Sequence, residues 1–278
     1  MKRSITPPFL LGLLFLCFQI FPQRLISLAP GITEIIFKLG SGNRLVGVTK
    51  FCDYPKEARH INKIGGFIDL NIEEIISLKP DIIFHYPEHY EKIKIFNKKV
   101  KLISLEHKSL KDLYRSIETI AVALNKKEKG NQTVKTIKNK LYKISLKTKG
   151  IKKKVLIIIS RDPFHLRNMI IIGKGDYLNE ILKYSGGINC YKGKLNYPTV
   201  SIESVINMNP DIIIEFIYFL KKSSSRDIIK QWNKFNNISA VLNKKIFVVK
   251  DQFWLRPGPR VTLISEKLFD IINKKEKH

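Results

Sequence analysis

The sequence predicts an α/β protein in which two Rossmann-like lobes with parallel sheets are bridged by a single long α-helix. Three observations carry the prediction. The chain's 278 residues exceed what one hydrophobic core ordinarily serves, so two lobes of somewhat over a hundred residues each are expected. Apolar runs of strand length alternate with stretches of helical period, the pattern of parallel strands covered on both faces. Finally, a segment in the first half of the chain is repeated in the second. The corresponding boundaries are a signal segment at 1–23, a first α/β lobe at 24–125, a bridging helix at 126–150 and a second α/β lobe at 151–278.

The N-terminus differs in composition from the rest. Lys2 and Arg3 precede an apolar stretch from Phe9 to Phe21, broken only by Gly12 and Gln19. About thirteen residues are too few to span a bilayer as a helix, which takes about 20. A basic start before a short apolar run is the layout of a secretory signal. No small-x-small cleavage site precedes Arg24, and Cys17 follows the bulky Leu16 where a lipoprotein signal would carry a small residue. Export is expected, with a mature end between Phe18 and Leu25; tethering through an uncleaved segment or through lipid on Cys17 stays open. Pro7, Pro8 and Pro22 argue against a buried first helix.

From Arg24 onward the elements follow in order. Arg24–Leu28 reads as a strand, Thr33–Leu39 as a short helix and Arg44–Val48 as a strand. Ile72–Leu78 is helical, and Ile82–Tyr86 and Lys101–Leu105 are strands. Leu110–Leu124 is a helix with Leu110, Leu113, Ile117, Ile120 and Leu124 on one face. Lys126–Lys149 is polar nearly all round except for Val134, Ile137, Leu141 and Ile144, whose spacing places them on one helical stripe. At about 1.5 Å per residue this helix is roughly 35 Å long, enough to cross between lobes, although periodicity alone equally fits a surface helix within one domain. Gly130 is a flaw in it, costing about 1 kcal/mol relative to Ala. After Gly150 strands restart at Val155–Ile159 and follow at Ile170–Ile172, Ile212–Ile214 and Ile246–Val249.

The repeat favours two lobes. Residues 71–83, Asn-Ile-Glu-Glu-Ile-Ile-Ser-Leu-Lys-Pro-Asp-Ile-Ile, recur 130 positions later at 201–213 as Ser-Ile-Glu-Ser-Val-Ile-Asn-Met-Asn-Pro-Asp-Ile-Ile. Each copy reads as a capped helix, a proline stop and a buried strand. Asn71 and Ser201 are N-cap types, Glu73 and Glu203 sit where the helix dipole favours negative charge, and Pro80 and Pro210 end the helices.

Composition and motifs narrow the function. Hydrophobic residues make up 44% and charged residues 27%, so the body folds as a globule. A net charge of +26 invites a nucleic-acid or membrane-surface partner, but the lysines are scattered, densest from Lys126 to Lys154, without an aromatic-interleaved ribbon. Solvated faces are the better reading, and no nucleic-acid partner is expected. No GxxxxGK[ST], strand-linked GxGxxG, GxSxG or HExxH occurs, so no catalytic residue is assigned and no enzyme activity is expected.

Open α/β sheets bind ligands beyond the carboxyl ends of their strands. There the sequence is aromatic: Phe51 and Tyr54, Phe67, Tyr86 and Tyr90, Phe164 and His165, Tyr197, Phe253 and Trp254. Any one ring is more often core filling, but their recurrence in loops points to a cleft for a large, flat, partly apolar ligand. His85 and His89 stand four apart with Pro87 between them, which disfavours one helix through the pair. Metal ligation, a polar cleft contact and plain surface histidines all remain open, and no metal site is assigned. Cys52 and Cys190 fall in different lobes and are expected as free thiols.

Several runs carry a family resemblance: Arg24–Glu34, Val46–Pro55, Gly65–Asn71, the two helix-Pro-Asp-strand units, Tyr197–Ser201 and Arg256-Pro-Gly-Pro-Arg260. The chain resembles the helical-backbone periplasmic substrate-binding proteins of cobalamin and ferric-siderophore ABC importers, and most the cobalamin-binding type. The resemblance implies two lobes on one stiff helix, a cleft between them and a modest closing motion. By motif position it implies ligand contacts from Phe51 and Phe67 in the first lobe and from Phe164, Tyr197 and Phe253 or Trp254 in the second; the loop aromatics add Tyr86. Phe or Tyr stands where tryptophan is frequent in cobalamin binders, which keeps haem and siderophores open as ligands. No cofactor is implied beyond the ligand. The implied partners are a permease dimer with its ATPase subunits, docked through Glu73 and Glu203, with the protein periplasmic and peripheral to the membrane.

Overall fold

Short β-branched runs form the strands, and helices with one apolar face cover them. The structure, a computed structural model, describes residues 22–217 and 224–273, so Cys17 and all but the last two residues of the expected signal segment lie outside the described residues. The first half contains β1 (Leu25–Ser27), α1 (Pro30–Lys38), β2 (Leu45–Val48), β3 (Asn62–Lys63), α2 (Ile72–Ser77), β4 (Ile82–His85), α3 (Tyr90–Ile93), β5 (Lys101–Ser104) and α4 (Leu110–Ala123). Its strands make a parallel sheet in the order β3-β2-β1-β4-β5.

The long helix follows as α5 (Lys127–Lys147), with Val134, Ile137, Leu141 and Ile144 buried along one stripe. It packs against α4 of the first half and, further on, against α6 and α10 of the second. Gly130 is no flaw here. A Cβ at Gly130 would stand 2.4 Å from the Cβ of Ala121, so the glycine lets α4 and α5 approach closely. The helical weakness expected from sequence is the condition for packing the helix.

The second half contains β6 (Lys153–Ser160), β7 (Met169–Ile171), α6 (Tyr177–Tyr184), β8 (Gly187–Asn189), β9 (Thr199–Val200), α7 (Ile202–Met208), β10 (Ile212–Phe216), α8 (Ser225–Trp232), α9 (Ser239–Leu242), β11 (Ile246–Val249) and α10 (Val261–Asn273). Strand order is β11-β10-β6-β7-β9, with β8 also on β6. Strands β6, β8, β10 and β11 are parallel, whereas β7 and β9 extend the sheet as an antiparallel edge that the sequence did not suggest. Residues 161–168 between β6 and β7 are too few for the dozen or so that a parallel crossover needs.

The repeat is structural to the level of single bonds. β1 pairs β4 with Leu25 opposite Ile82, and β6 pairs β10 with Val155 opposite Ile212, the same register 130 residues on. The Arg24 amide donates to Asp81 Oδ2 at 2.6 Å, and the Lys154 amide to Asp211 Oδ2 at 2.7 Å. Arg24 Nε and Lys154 Nζ donate to the carbonyls of Leu78 and Met208. Asn71 and Ser201 accept from the amides three residues on. Among the described residues no helix is long and apolar enough to cross a membrane.

Candidate ligand cleft

In the first sheet the chain reverses its winding between β1 and β4, and the crevice beyond their carboxyl ends is where such a fold opens. Pro30 starts α1 directly after β1. Thr33 Oγ1 lies 2.8 Å from Ser27 Oγ and 3.2 Å from Cys52 Sγ, which is also 3.2 Å from Thr49 Oγ1. This buried polar knot ties the ends of β1 and β2 and sets the backbone beside Phe51. Burial pushes the Cys52 thiol up, so it packs as a neutral group rather than acting as a nucleophile. After β3 a tight excursion bridged between Gly65 and Leu70 presents Phe67, and Lys50 pins it through Asp69 at 3.0 Å. After β4 comes Tyr86, nearly buried.

These loops enclose a mostly apolar cavity of about 530 Å³ lined by Ala29, Pro30, Gly31, Phe51, Phe67, Ile68, Asp69, Tyr86, His107, Gln252, Leu255, Arg256 and Pro257. Its rings support one another: Tyr86 lies 6.3 Å from Phe67 and 4.0 Å from His107, centroid to centroid. His107 Nε2 is 3.2 Å from the Glu88 carboxylate. Burial, then the Glu34 charge, pushes the Tyr86 phenol well above its usual range, so it stays neutral. From the second lobe Tyr197 donates to Asp176 Oδ2 at 2.5 Å, while Asp176 caps α6 by accepting from the Leu178 amide. Burial, then the Asp176 charge, also raises the Tyr197 phenol. A larger cavity of about 870 Å³ lies between α1, α5 and the 259–262 segment, and Lys38, Lys129, Lys140, Glu57 and Arg260 give it a charged lining that the ring-walled cavity lacks.

Of the residues expected at the ligand, the structure brings Phe51, Phe67 and Tyr86 together in the cavity, whereas Tyr197, half-exposed on the second lobe, is not part of its lining. Phe164 stands apart on the β6–β7 loop, 68% exposed. Trp254 requires correction: it is 3% exposed and packs under β10 against Phe216 at 5.8 Å. The 3-10 turn Gln252–Leu255 points its indole inward, and the Tyr177 hydroxyl holds its carbonyl. Phe253 also misses the cavity and lies instead against the Arg260 guanidinium, 4.9 Å from its ring centre.

His85 and His89 are not surface histidines, for both are buried. Burial lowers the pKa of each, that of His89 to about 4. Among the described residues no group of three or more His, Cys, Asp or Glu could hold a metal ion. Cys52 and Cys190 are free and buried. Glu73 and Glu203 are exposed in the first turns of α2 and α7. Sequence reasoning missed His107, Gln252, Leu255 and Pro257 as lining residues. For the last three the available signal was the Arg256–Arg260 run, which contains Pro257 and follows Gln252 and Leu255 closely and marked the segment without assigning it a wall.

Comparison with known proteins agrees with this architecture. Residues 25–253 match the periplasmic binding protein family. An ABC transporter substrate-binding lipoprotein of Bacillus subtilis is 30% identical over 90% of this chain and 80% of its own length. A vitamin B12-binding protein of Vibrio vulnificus is 29% identical over 88% of each chain. The solved structure of a possible iron-binding periplasmic protein from Staphylococcus epidermidis is 29% identical and superposes with a TM-score of 0.79, covering 90% of this chain and 98% of that one. The chain belongs to the periplasmic binding protein family and is a binding protein rather than an enzyme.

Proposed function

We propose that the chain is the extracytoplasmic solute-binding component of an ABC importer, and that its cleft takes cobalamin or a related corrinoid for delivery to a permease dimer with its ATPase subunits. The observation that carries this reading is the cavity at the first switch point, walled by Phe51, Phe67 and Tyr86. A corrinoid is a broad macrocycle with apolar faces and amide side chains. Rings receive its faces, while Asp69 and Gln252 in the lining are partners for amides. The names of the Bacillus and Vibrio relatives support transport and vitamin B12 respectively. Glu73 and Glu203, one on each half of the repeat, supply a pseudo-symmetric acidic pair for a symmetric permease.

Haem or another iron chelate is the second reading, favoured by the imidazole of His107 tilted against Tyr86 in the cavity wall and by the name of the Staphylococcus structure. Equilibrating the purified protein with cyanocobalamin, haem or a ferric siderophore, washing, and recording the absorbance decides between them. Retained corrinoid bands are expected. Retention of haem or siderophore alone replaces the first reading with the second, and retention of none overturns both.

A further inference from the structure

We infer that Arg260 and Glu34 are positioning residues of the ligand pocket, clamping the 252–260 segment of the second lobe onto the first lobe so that both cavity walls move as one body. Arg260 donates through Nε to Glu34 Oε2 at 2.9 Å and through Nη2 to Glu34 Oε1 at 2.5 Å. The Glu34 side chain is 2% exposed and that of Arg260 18%. The guanidinium is further stacked on Tyr54 of the first lobe, 4.1 Å from its ring centre, and on Phe253 of its own segment. A second pair joins the same two regions, Arg256 Nη1 to Asp53 Oδ1 at 2.6 Å, and Arg256 also donates to Gln252.

The backbones between these pairs nearly touch. A Cβ on Gly31 would stand 2.0 Å from the Pro257 carbonyl oxygen, so only glycine allows this approach. The consequence concerns the cavity. Gln252, Leu255, Arg256 and Pro257 form one wall although they follow the other lining residues by well over a hundred positions in sequence. Clamped in this way they are tied to the first lobe, while Trp254 in the same segment stays packed on Phe216 of the second.

The chemistry of the pair fits positioning better than stabilisation. Removing two charges from water offsets most of their attraction, so a buried pair of this kind fixes geometry more than it adds stability. The planar fork of arginine meets a carboxylate along two parallel bonds and stacks on rings, which a lysine cannot do.

The inference rests on the reading of this cavity as the ligand site, and its test separates the two. Glu34→Gln, Arg260→Gln, the double variant and Arg260→Lys are compared with the full wild-type chain in cyanocobalamin affinity and in hydrogen exchange of peptides from 250–260 and from β10. Each single glutamine variant is expected to lose about tenfold or more in affinity and to exchange faster in 250–260 while β10 stays protected. The double variant should lose no more than the singles, and Arg260→Lys should recover only part of the loss. Unchanged exchange in 250–260, or loosening only when β10 loosens equally, would overturn the clamp. If the wild type binds no corrinoid, the functional reading fails and the exchange comparison alone decides the clamp.

Discussion

The two lobes share a frame and fill it differently. Where β1 and β4 end, the first lobe is hollow and lined with rings. Where β6 and β10 end, at the equivalent place of the repeat, the second lobe is packed with an ion pair: Arg161 Nε donates to Glu215 Oε1 at 2.7 Å with both side chains fully buried. The Trp232 indole donates to the other Glu215 oxygen at 2.8 Å. Arg161 Nη1 reaches the carbonyls of Asp162 and His165 and Gln231 Oε1. Glu215 stands 130 residues after His85, so one strand position is a neutral imidazole in one lobe and a paired carboxylate in the other. The difference teaches that the same frame leaves a ring-lined cavity at the first switch point, the proposed ligand seat, and an anchored loop at the second.

The sharpest way to break that comparison is to break the ion pair. Arg161→Ala or Glu215→Ala leaves an uncompensated buried charge and is expected to destabilise the chain by about 3 to 5 kcal/mol, read from urea unfolding. Arg161→Met with Glu215→Leu removes both charges and should recover most of that loss. Single variants that cost under about 1 kcal/mol would show that the second switch point is not held by this pair.

The first lobe's buried histidines give the next effect. An unfolded histidine protonates near pH 6.5, whereas His89 in the fold resists protonation until about pH 4, chiefly through burial and then through the like charge of His85. Between those values the unfolded state binds the extra proton, so stability must fall as pH falls through that window. The expected loss is about 3 kcal/mol. His89→Gln should flatten this part of the profile relative to wild type, and identical slopes in the two proteins would remove His89 from the account.

The ring wall predicts an effect on binding without one on folding. Phe67→Ala should weaken ligand binding by about 1 to 3 kcal/mol with little change in unfolding midpoint, whereas Phe164→Ala, outside the cavity, should change affinity by less than about 0.5 kcal/mol. Equal losses from both would mean that the lobes close much further than this structure suggests.

What was legible in the sequence followed from local physics. The repeat, the caps at Asn71 and Ser201, the stripe on α5 and the short parallel strands depend on residues within a few positions, and each formed as expected. Three of the aromatic loop residues, Phe51, Phe67 and Tyr86, do line one cavity, but a strand position cannot say which way the next turn aims a ring, so Trp254 went to the core and Phe253 to Arg260. His107 was passed over because no aromatic neighbour marked its loop. Glu215 lay between Ile214 and Phe216 inside a strand, and a carboxylate with apolar residues on both sides was the available sign of a buried pair.

The smallest expected effect on the protein itself comes from Glu73 and Glu203. Both are exposed, in the first turn of helices with matching burial, and Glu203 is held below the usual carboxylate range chiefly by its hydrogen bond to the Ser201 side chain. A glutamate in a first turn favours its own helix and needs no partner for that. The repeat adds a second fact: a chain of net charge +26 carries an acid at both equivalent sites. Charge pairs at an interface rim steer encounter and orientation, so a symmetric partner with two basic patches would engage both carboxylates together. Reversing both to Lys should leave ligand affinity and unfolding midpoint close to wild type while abolishing permease binding and uptake, with each single reversal giving a partial loss. Normal uptake by the doubly reversed protein would reduce these carboxylates to helix-end charges. A fall in ligand affinity would instead show that α2 and α7 report on the cleft rather than on a partner.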